Sequence, residues 1–433
     1  MEIKRDEYLN RLIVRKNNGF IKIITGIRRS GKSYLLNTLF YNHLQEEGVA
    51  DNHIIKFAFD AADDLLKIGE DPLILDNEKE DRKVDPTKFI NWLMPQITDN
   101  EMYYILLDEV QKLGAFESVL NGFLRKNNMD VFVTGSNSKF LSRDIVTEFE
   151  GRGDEVHILP LSFSEFYAFK GGDKSESYDE YSVYGGLPAV ALMTTEEQKS
   201  TYLISQMQRL YLRDIINRYN LPENTMIGEV LDVIASGISS LTNPKKIADT
   251  FASVKQEKIS DFTVDKYIGH MEDAFMLSRV KRYNIKGRKY IGTPYKIYFE
   301  DIGLRNARLN FRQIEGTHIM ENTIYNELRY RGYQVDVGVV ESREKNADGK
   351  EIRNQREIDF IATLGSKKYY IQSAYAIPDG EKYEQETIPF DKTADSFKKI
   401  IVVEKSMKPR RDEKGYVMMG VKEFLLDRNS LEA

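Results

Sequence analysis

Residues 26–33, Gly-Ile-Arg-Arg-Ser-Gly-Lys-Ser, set two glycines, a lysine and a hydroxyl at the spacing G-x-x-x-x-G-K-[ST]. That set suits the grip of a polyphosphate. Gly26 and Gly31 let the backbone approach phosphate oxygens at distances a Cβ would prevent. The amides from Gly26 through Ile27, Arg28, Arg29, Ser30, Gly31 and Lys32 to Ser33 and Tyr34 would turn inward, and a following helix adds its positive end. The Lys32 amine would reach the β and γ phosphates, and the Ser33 hydroxyl would ligate Mg²⁺. A second constellation follows at Asp108-Glu109, behind the apolar run MYYILL. The first acid at a strand's end can hold the metal's hydration shell, and the second can orient and deprotonate an attacking water. Asp108 is assigned the metal and Glu109 the water.

A third set of polar residues ends the run DVFVTGSNS, where Ser136 or Asn137 could hydrogen-bond the γ-phosphate or the water. Charge building on the γ-phosphoryl oxygens also calls for a fixed cation. Arg143, Arg152 and Arg213 are candidates, as are Arg28 and Arg29 within the loop itself. Arg152, in EGRGDEV, is placed where a loop could present it to a neighbouring subunit, which would make the protein a homo-oligomer.

The elements that must position these groups are visible as alternation. Short β-branched or aromatic runs, FIKIIT (20–25), HIIKFAF (53–59), MYYILL (102–107), DVFVT (130–134) and EVHIL (155–159), alternate with stretches of helical spacing. This pattern predicts an α/β domain with a mainly parallel sheet, whose ligand site lies at the carboxyl ends of the strands. Composition limits the alternatives. The 433 residues contain no cysteine and five histidines, excluding a disulfide framework, thiol catalysis and Cys-ligated metals. No apolar run reaches the ~18 residues of a membrane span, so a reduced, cytoplasmic location without a membrane partner is expected. The net charge of −6 argues against a generally basic nucleic-acid coat protein.

From residue 160 the pattern changes. Residues 161–224 read as mostly helical, with a break at Gly185-Gly186-Leu187-Pro188. Residues 225–312 give three helical patterns and a strand-rich ribbon, the outline of a winged helix. Residues 313–433 read as helix, strand, strand, strand. The ribbon from Arg279 to Tyr290 carries Lys281, Arg282, Lys286, Arg288 and Lys289 and no acid. Such a ribbon could contact DNA phosphates, with Tyr283 or Tyr290 stacking on bases. The acids Asp261, Asp265, Glu272 and Asp273 on the helical segment before it oppose ordinary major-groove docking.

Taken together, GIRRSGKSYLL, LLDEVQ, VFVTGSNSKFL, EGRGDEVHILPLSFSEF and YGGLPAV resemble bacterial and archaeal AAA+-like ATPases with a C-terminal DUF4143 region. The likeness covers nearly the whole chain. It implies an ASCE-type P-loop core over residues 1–160, ATP as the nucleotide, Lys32 and Ser33 in Walker A, and Asp108 and Glu109 in Walker B. Ser136 and Asn137 match the family's sensor strand end, and Arg152 its G-R motif. The middle segment is implied to be winged-helix-like. The last domain is implied to resemble restriction-endonuclease folds of the PD-(D/E)xK type. There Glu321 and Asp359 match, but Gln372-Ser373-Ala374 stands where E-x-K should be. A nuclease needs that second carboxylate for Mg²⁺ and the lysine for water. The expected activity is Mg²⁺-dependent ATP hydrolysis coupled to conformational change. Its expected output is DNA-associated remodelling, with a protein-binding switch acting through the C-terminal domain as the alternative and an ATP-gated nuclease third.

Overall fold

In the computed structural model, residues 3–75, 82–135, 151–222, 226–345, 351–376 and 380–433 are described. Strand β1 (Ile21–Thr25) is buried at every position, as a strand covered on both faces must be. It lies between β4 (Met129–Thr134) and β5 (Gly153–His157), with β3 (Tyr103–Asp108) beyond β4 and β2 (Ile54–Ala58) at the edge. All four pairings are parallel. The carboxyl ends of β1, β4 and β3 therefore fall side by side on one edge. One face packs on a core that includes Phe57, Phe59, Phe89, Leu93, Ile105, Leu107 and Phe123. There the Phe57 and Phe59 rings meet Phe89 edge-on at 5.1 and 5.0 Å. Lys22, with no exposed surface, ties β1 to β4 by pairing with Asp130. Residues 1–160, with the segments 214–221 and 273–275, make up this first compact unit.

The second unit holds 161–213, 222–272 and 276–433. Its helices include Phe163–Lys170, Lys174–Tyr184, Ile227–Ser236, Pro244–Lys255, Asp261–Asp273 (whose last residue clusters with the first unit) and Gly316–Tyr330. The glycine pair in YGGLP is explained by close backbone packing. A Cβ on Gly186 would sit 2.2 Å from the Leu161 carbonyl oxygen, and its N–H donates to the buried Asp301 carboxylate at 2.8 Å.

The ribbon is present as β6 (Leu277–Asn284) and β7 (Lys289–Phe299), paired antiparallel. It does not stand apart as a wing. β6 uses its second edge to pair in parallel with β8 (Gln334–Lys345), which joins β9 (Glu351–Leu364), β10 (Lys367–Ala374), β11 (Lys398–Val403), β13 (Val417–Gly420) and β12 (Arg410–Arg411) in one eight-stranded sheet. The division expected at residue 312 therefore corresponds to no break in the sheet. A strand with an unpaired edge presents unsatisfied N–H and C=O groups, and β8 satisfies them.

Candidate functional site

Thr25 ends β1, and the chain bends through the loop into a helical run from Lys32 to Glu46 that widens to a π-turn over Leu35–Phe40. The loop is left-handed at Arg29 (φ 62°) and Gly31 (φ 96°), and Gly26 sits at φ 140°. A Cβ on Gly26 would lie 2.1 Å from the Ile158 carbonyl oxygen, so that position admits only glycine. Lys32 is 5% exposed, and its amine donates to the Gly26 and Ile27 carbonyls at 3.0 Å each, folded over the loop. From outside, the Arg5 guanidinium donates to the Ser30 carbonyl at 3.0 Å and to the Leu159 carbonyl at 2.7 Å. Arg28 pairs with Asp214 at 3.0 Å, Arg29 is exposed, and Tyr34 is half-buried.

A chain of hydrogen bonds ties the helical run after this loop to the ends of β3 and β4. Asp108 accepts from the Thr134 hydroxyl and from Asn37 Nδ2 at 3.3 Å, and the Ser33 hydroxyl lies near enough to favour its ionised form. The Thr134 hydroxyl oxygen in turn accepts the Glu109 N–H at 3.0 Å. That bond holds Glu109 in the left-handed region at φ 51°, at the start of the short 3₁₀ turn Val110–Lys112. The Glu109 carboxylate accepts from Gln111 Nε2. Burial pushes the Asp108 carboxyl above the ordinary range against the Thr134 and Ser33 hydroxyls that favour its ionised form, and the Glu109 and Asp60 charges add to the rise. Asp60, just past β2, is likewise pushed up by burial and by Glu109. A pocket of crowded acid favours a cation. Ser33 with Asp108 fits Mg²⁺, which binds through few protein oxygens and the substrate's phosphates. Among the described residues no cluster of three or more acidic, His or Cys ligands stands ready for a metal. A P-loop site does not require one.

Of the expected site residues, Lys32, Ser33, Asp108 and Glu109 are brought together. Ser136, Asn137 and Arg143 lie outside the described residues. Arg213 is exposed at the start of the helix Arg213–Arg218. Arg152 lies at the amino end of β5, where its carbonyl accepts the Ile21 N–H at 2.9 Å. Its backbone is thus a strand's length from the loop, about 3.3 Å per residue over β1. Thr134, Asn37, Gln111 and Asp60 were not among the expected site residues. Thr134, the final residue of its apolar run, was the one with a positional signal.

On the ribbon, Arg282 is 8% exposed and donates to the Pro294 carbonyl at 3.0 Å, so its expected role in contacting phosphates is corrected to a structural one. Arg279 is bound to Asp265 and Glu272 at 2.6 and 2.7 Å. Lys281, Lys286, Arg288 and Lys289 are exposed, as is the Tyr290 ring.

In the C-terminal part, Glu321 and Asp359 do meet, around a lysine that was not among the expected site residues. Lys296 Nζ lies 2.8 Å from Glu321, 2.7 Å from Glu357 and 3.1 Å from Asp359, with 4% of its side chain exposed. Burial, with the Asp359 charge, pushes the Glu321 carboxyl up to about 7 despite Lys296. Gln372 spends its Oε1 on the Asp359 N–H at 3.1 Å. An internal ammonium therefore supplies this cluster's positive charge. A lysine inside the apolar strand run PYKIYF was the available signal.

Residues 18–167 match the AAA domain family, and residues 175–315 match a domain of unknown function, DUF8612, rather than DUF4143. An uncharacterized protein of Haemophilus influenzae is 33% identical over 409 residues, spanning 93% of this chain and 94% of its own. An uncharacterized protein of Methanocaldococcus jannaschii is 26% identical over 394 residues, 87% of this chain and 79% of that one. Among solved structures, the Aeropyrum pernix ORC1 protein in complex with DNA is similar at 12% identity over 71% of this chain and 92% of that one, with a TM-score of 0.29. No helix among the described residues is long and apolar enough to cross a membrane.

Proposed function

The chain belongs to the family of its Haemophilus influenzae relative, with an AAA domain at residues 18–167, and on that premise we propose that it hydrolyses ATP with Mg²⁺ and couples hydrolysis to conformational change. The observation that carries this reading is the hydrogen-bonded series Asn37–Asp108–Thr134–Glu109, with Ser33 beside Asp108, which aligns the ends of three elements on one edge of the sheet. Lys32 leaves the Gly26 and Ile27 carbonyls and donates to the β and γ phosphates, while the loop amides hold their oxygens. Ser33 and Asp108 would hold Mg²⁺, which would supply neutralisation of the phosphate charge. Glu109 accepts a proton from the water whose oxygen attacks the γ-phosphorus, as the bond to the bridging oxygen breaks and ADP leaves. The residue that supplies the final cation is an arginine, and Arg152 can serve only the site of a neighbouring subunit. Magnesium-dependent phosphate release, lost in K32A and D108N variants that keep the wild-type circular dichroism, is the expected result. Full turnover by either variant would refute the reading.

A second reading concerns the output. Lys281, Lys286, Arg288, Lys289 and the 60%-exposed Tyr290 share one hairpin, and this supports contact with DNA phosphates and an unstacked base. The C-terminal carboxylates are read as a structural ion cluster organised by Lys296, which weighs against metal-dependent cleavage there. A divalent ion would have to displace an ammonium that already bonds three carboxylates.

A further inference from the structure

Within the first unit, one polar side chain beside the proposed base has no assigned task. Gln111 lies two residues beyond Glu109, on the 3₁₀ turn Val110–Lys112. Its Nε2 donates to Glu109 Oε2, while its Oε1 is buried without a hydrogen-bond partner. A buried amide oxygen left unpaired costs on the order of 1–3 kcal/mol. Such an exception calls for a reason, and a catalytic role for the side chain is one. The backbone agrees. Glu109 is a non-glycine residue in the left-handed region, and its N–H is pinned by Thr134. With the main chain fixed at that point, the remaining freedom of the carboxylate lies in its side-chain torsions, and the Gln111 amide restricts those.

We infer that Gln111 is the positioning residue for the base, a role that rests on the reading of Glu109 given above. A water attacking phosphorus must direct a lone pair at the γ-phosphoryl group and both hydrogens elsewhere. The Glu109 carboxylate can take the hydrogen that is transferred only while it stays turned toward that water. Nε2 meanwhile keeps the carboxylate from turning back to solvent. Substitution of Gln111 then lowers the rate of the chemical step and leaves the grip on nucleotide intact, because the phosphate loop is built by other residues.

The test compares Gln111→Ala, Gln111→Glu and Glu109→Gln in the full-length chain, by steady-state phosphate release with Mg²⁺-ATP and by titration with a fluorescent ATP analogue. Gln111→Ala is expected to lower kcat ten- to a hundredfold with KM and analogue affinity within twofold of wild type. Gln111→Glu retains an acceptor, loses the donor and sets a second negative charge beside the base. It is expected to move the acid limb of the kcat–pH profile to higher pH, which a merely structural residue would not do. Glu109→Gln is expected to be inactive, and adding Gln111→Ala to it should cost nothing further. An inactive Glu109→Gln beside a Gln111→Ala enzyme with wild-type kcat overturns the inference alone. So does a Gln111→Ala loss that appears equally in KM and analogue affinity, or an unmoved Gln111→Glu profile. Turnover by Glu109→Gln, or no turnover by the wild type, overturns the reading of the base and the inference with it.

Discussion

Thr134 joins the metal-side acid to the base: its hydroxyl donates to Asp108 and accepts from the Glu109 N–H. Replacing it with valine keeps the shape, removes both bonds and leaves a buried N–H and carboxylate oxygen short of a partner, at about 1–3 kcal/mol. Thr134→Val is expected to lose turnover by at least tenfold and to melt lower, while Thr134→Ser stays within about twofold. Phosphate release and thermal denaturation on the same preparations check both. Glu321 gives a pH signature at the same scale. Its carboxyl titrates near 7 in the fold against about 4.5 when unfolded, so the folded chain holds that proton more tightly. The stability it contributes is complete below about pH 4.5 and is lost as pH rises through 7. Glu321→Gln, which keeps an oxygen to accept from Lys296 and Tyr298, should therefore flatten the fall in melting temperature between those limits. An unchanged slope would show that another group titrates there.

At the scale of elements, the phosphate loop and the acid pair were legible because each lies in one contiguous stretch, with its spacing set by a single turn. The five parallel strands were legible too, as apolar runs ended by polar residues, and β1, β3 and β4 start within a residue or two of the expected positions. What sequence could not reveal was assembly at long range. Lys296, Glu321, Glu357 and Asp359 come from two strands and a helix and meet only in the folded sheet. Likewise the ribbon read as a free wing, because nothing local in LSRVKRYN announces that its outer edge will pair with β8. Burial of Arg282 follows from that same placement. The hairpin makes its own prediction. Replacing Lys286, Arg288 and Lys289 together by alanine should weaken duplex binding and reduce the slope of log affinity against log salt by about three, roughly 0.9 per lost phosphate contact. Affinity titrations from low to physiological salt would measure it, and an unchanged slope would remove the hairpin from the interface.

Over the whole molecule, the relative from Haemophilus influenzae aligns across both units, so the nucleotide-binding unit and the eight-stranded unit belong to one shared architecture. In the proposed function hydrolysis couples them, with Glu109 as the group that receives water's proton. The decisive measurement is Mg²⁺-ATP turnover by the full chain alongside Glu109→Gln and Lys32→Ala, with melting followed at increasing ATP. Phosphate release by the wild type alone is expected. Glu109→Gln is expected still to be stabilised by ATP, by about 2.7 kcal/mol at a hundredfold excess over Kd, while Lys32→Ala gains little. Wild-type turnover by Glu109→Gln, or a wild-type protein that ATP neither stabilises nor engages, would overturn the role given to Glu109.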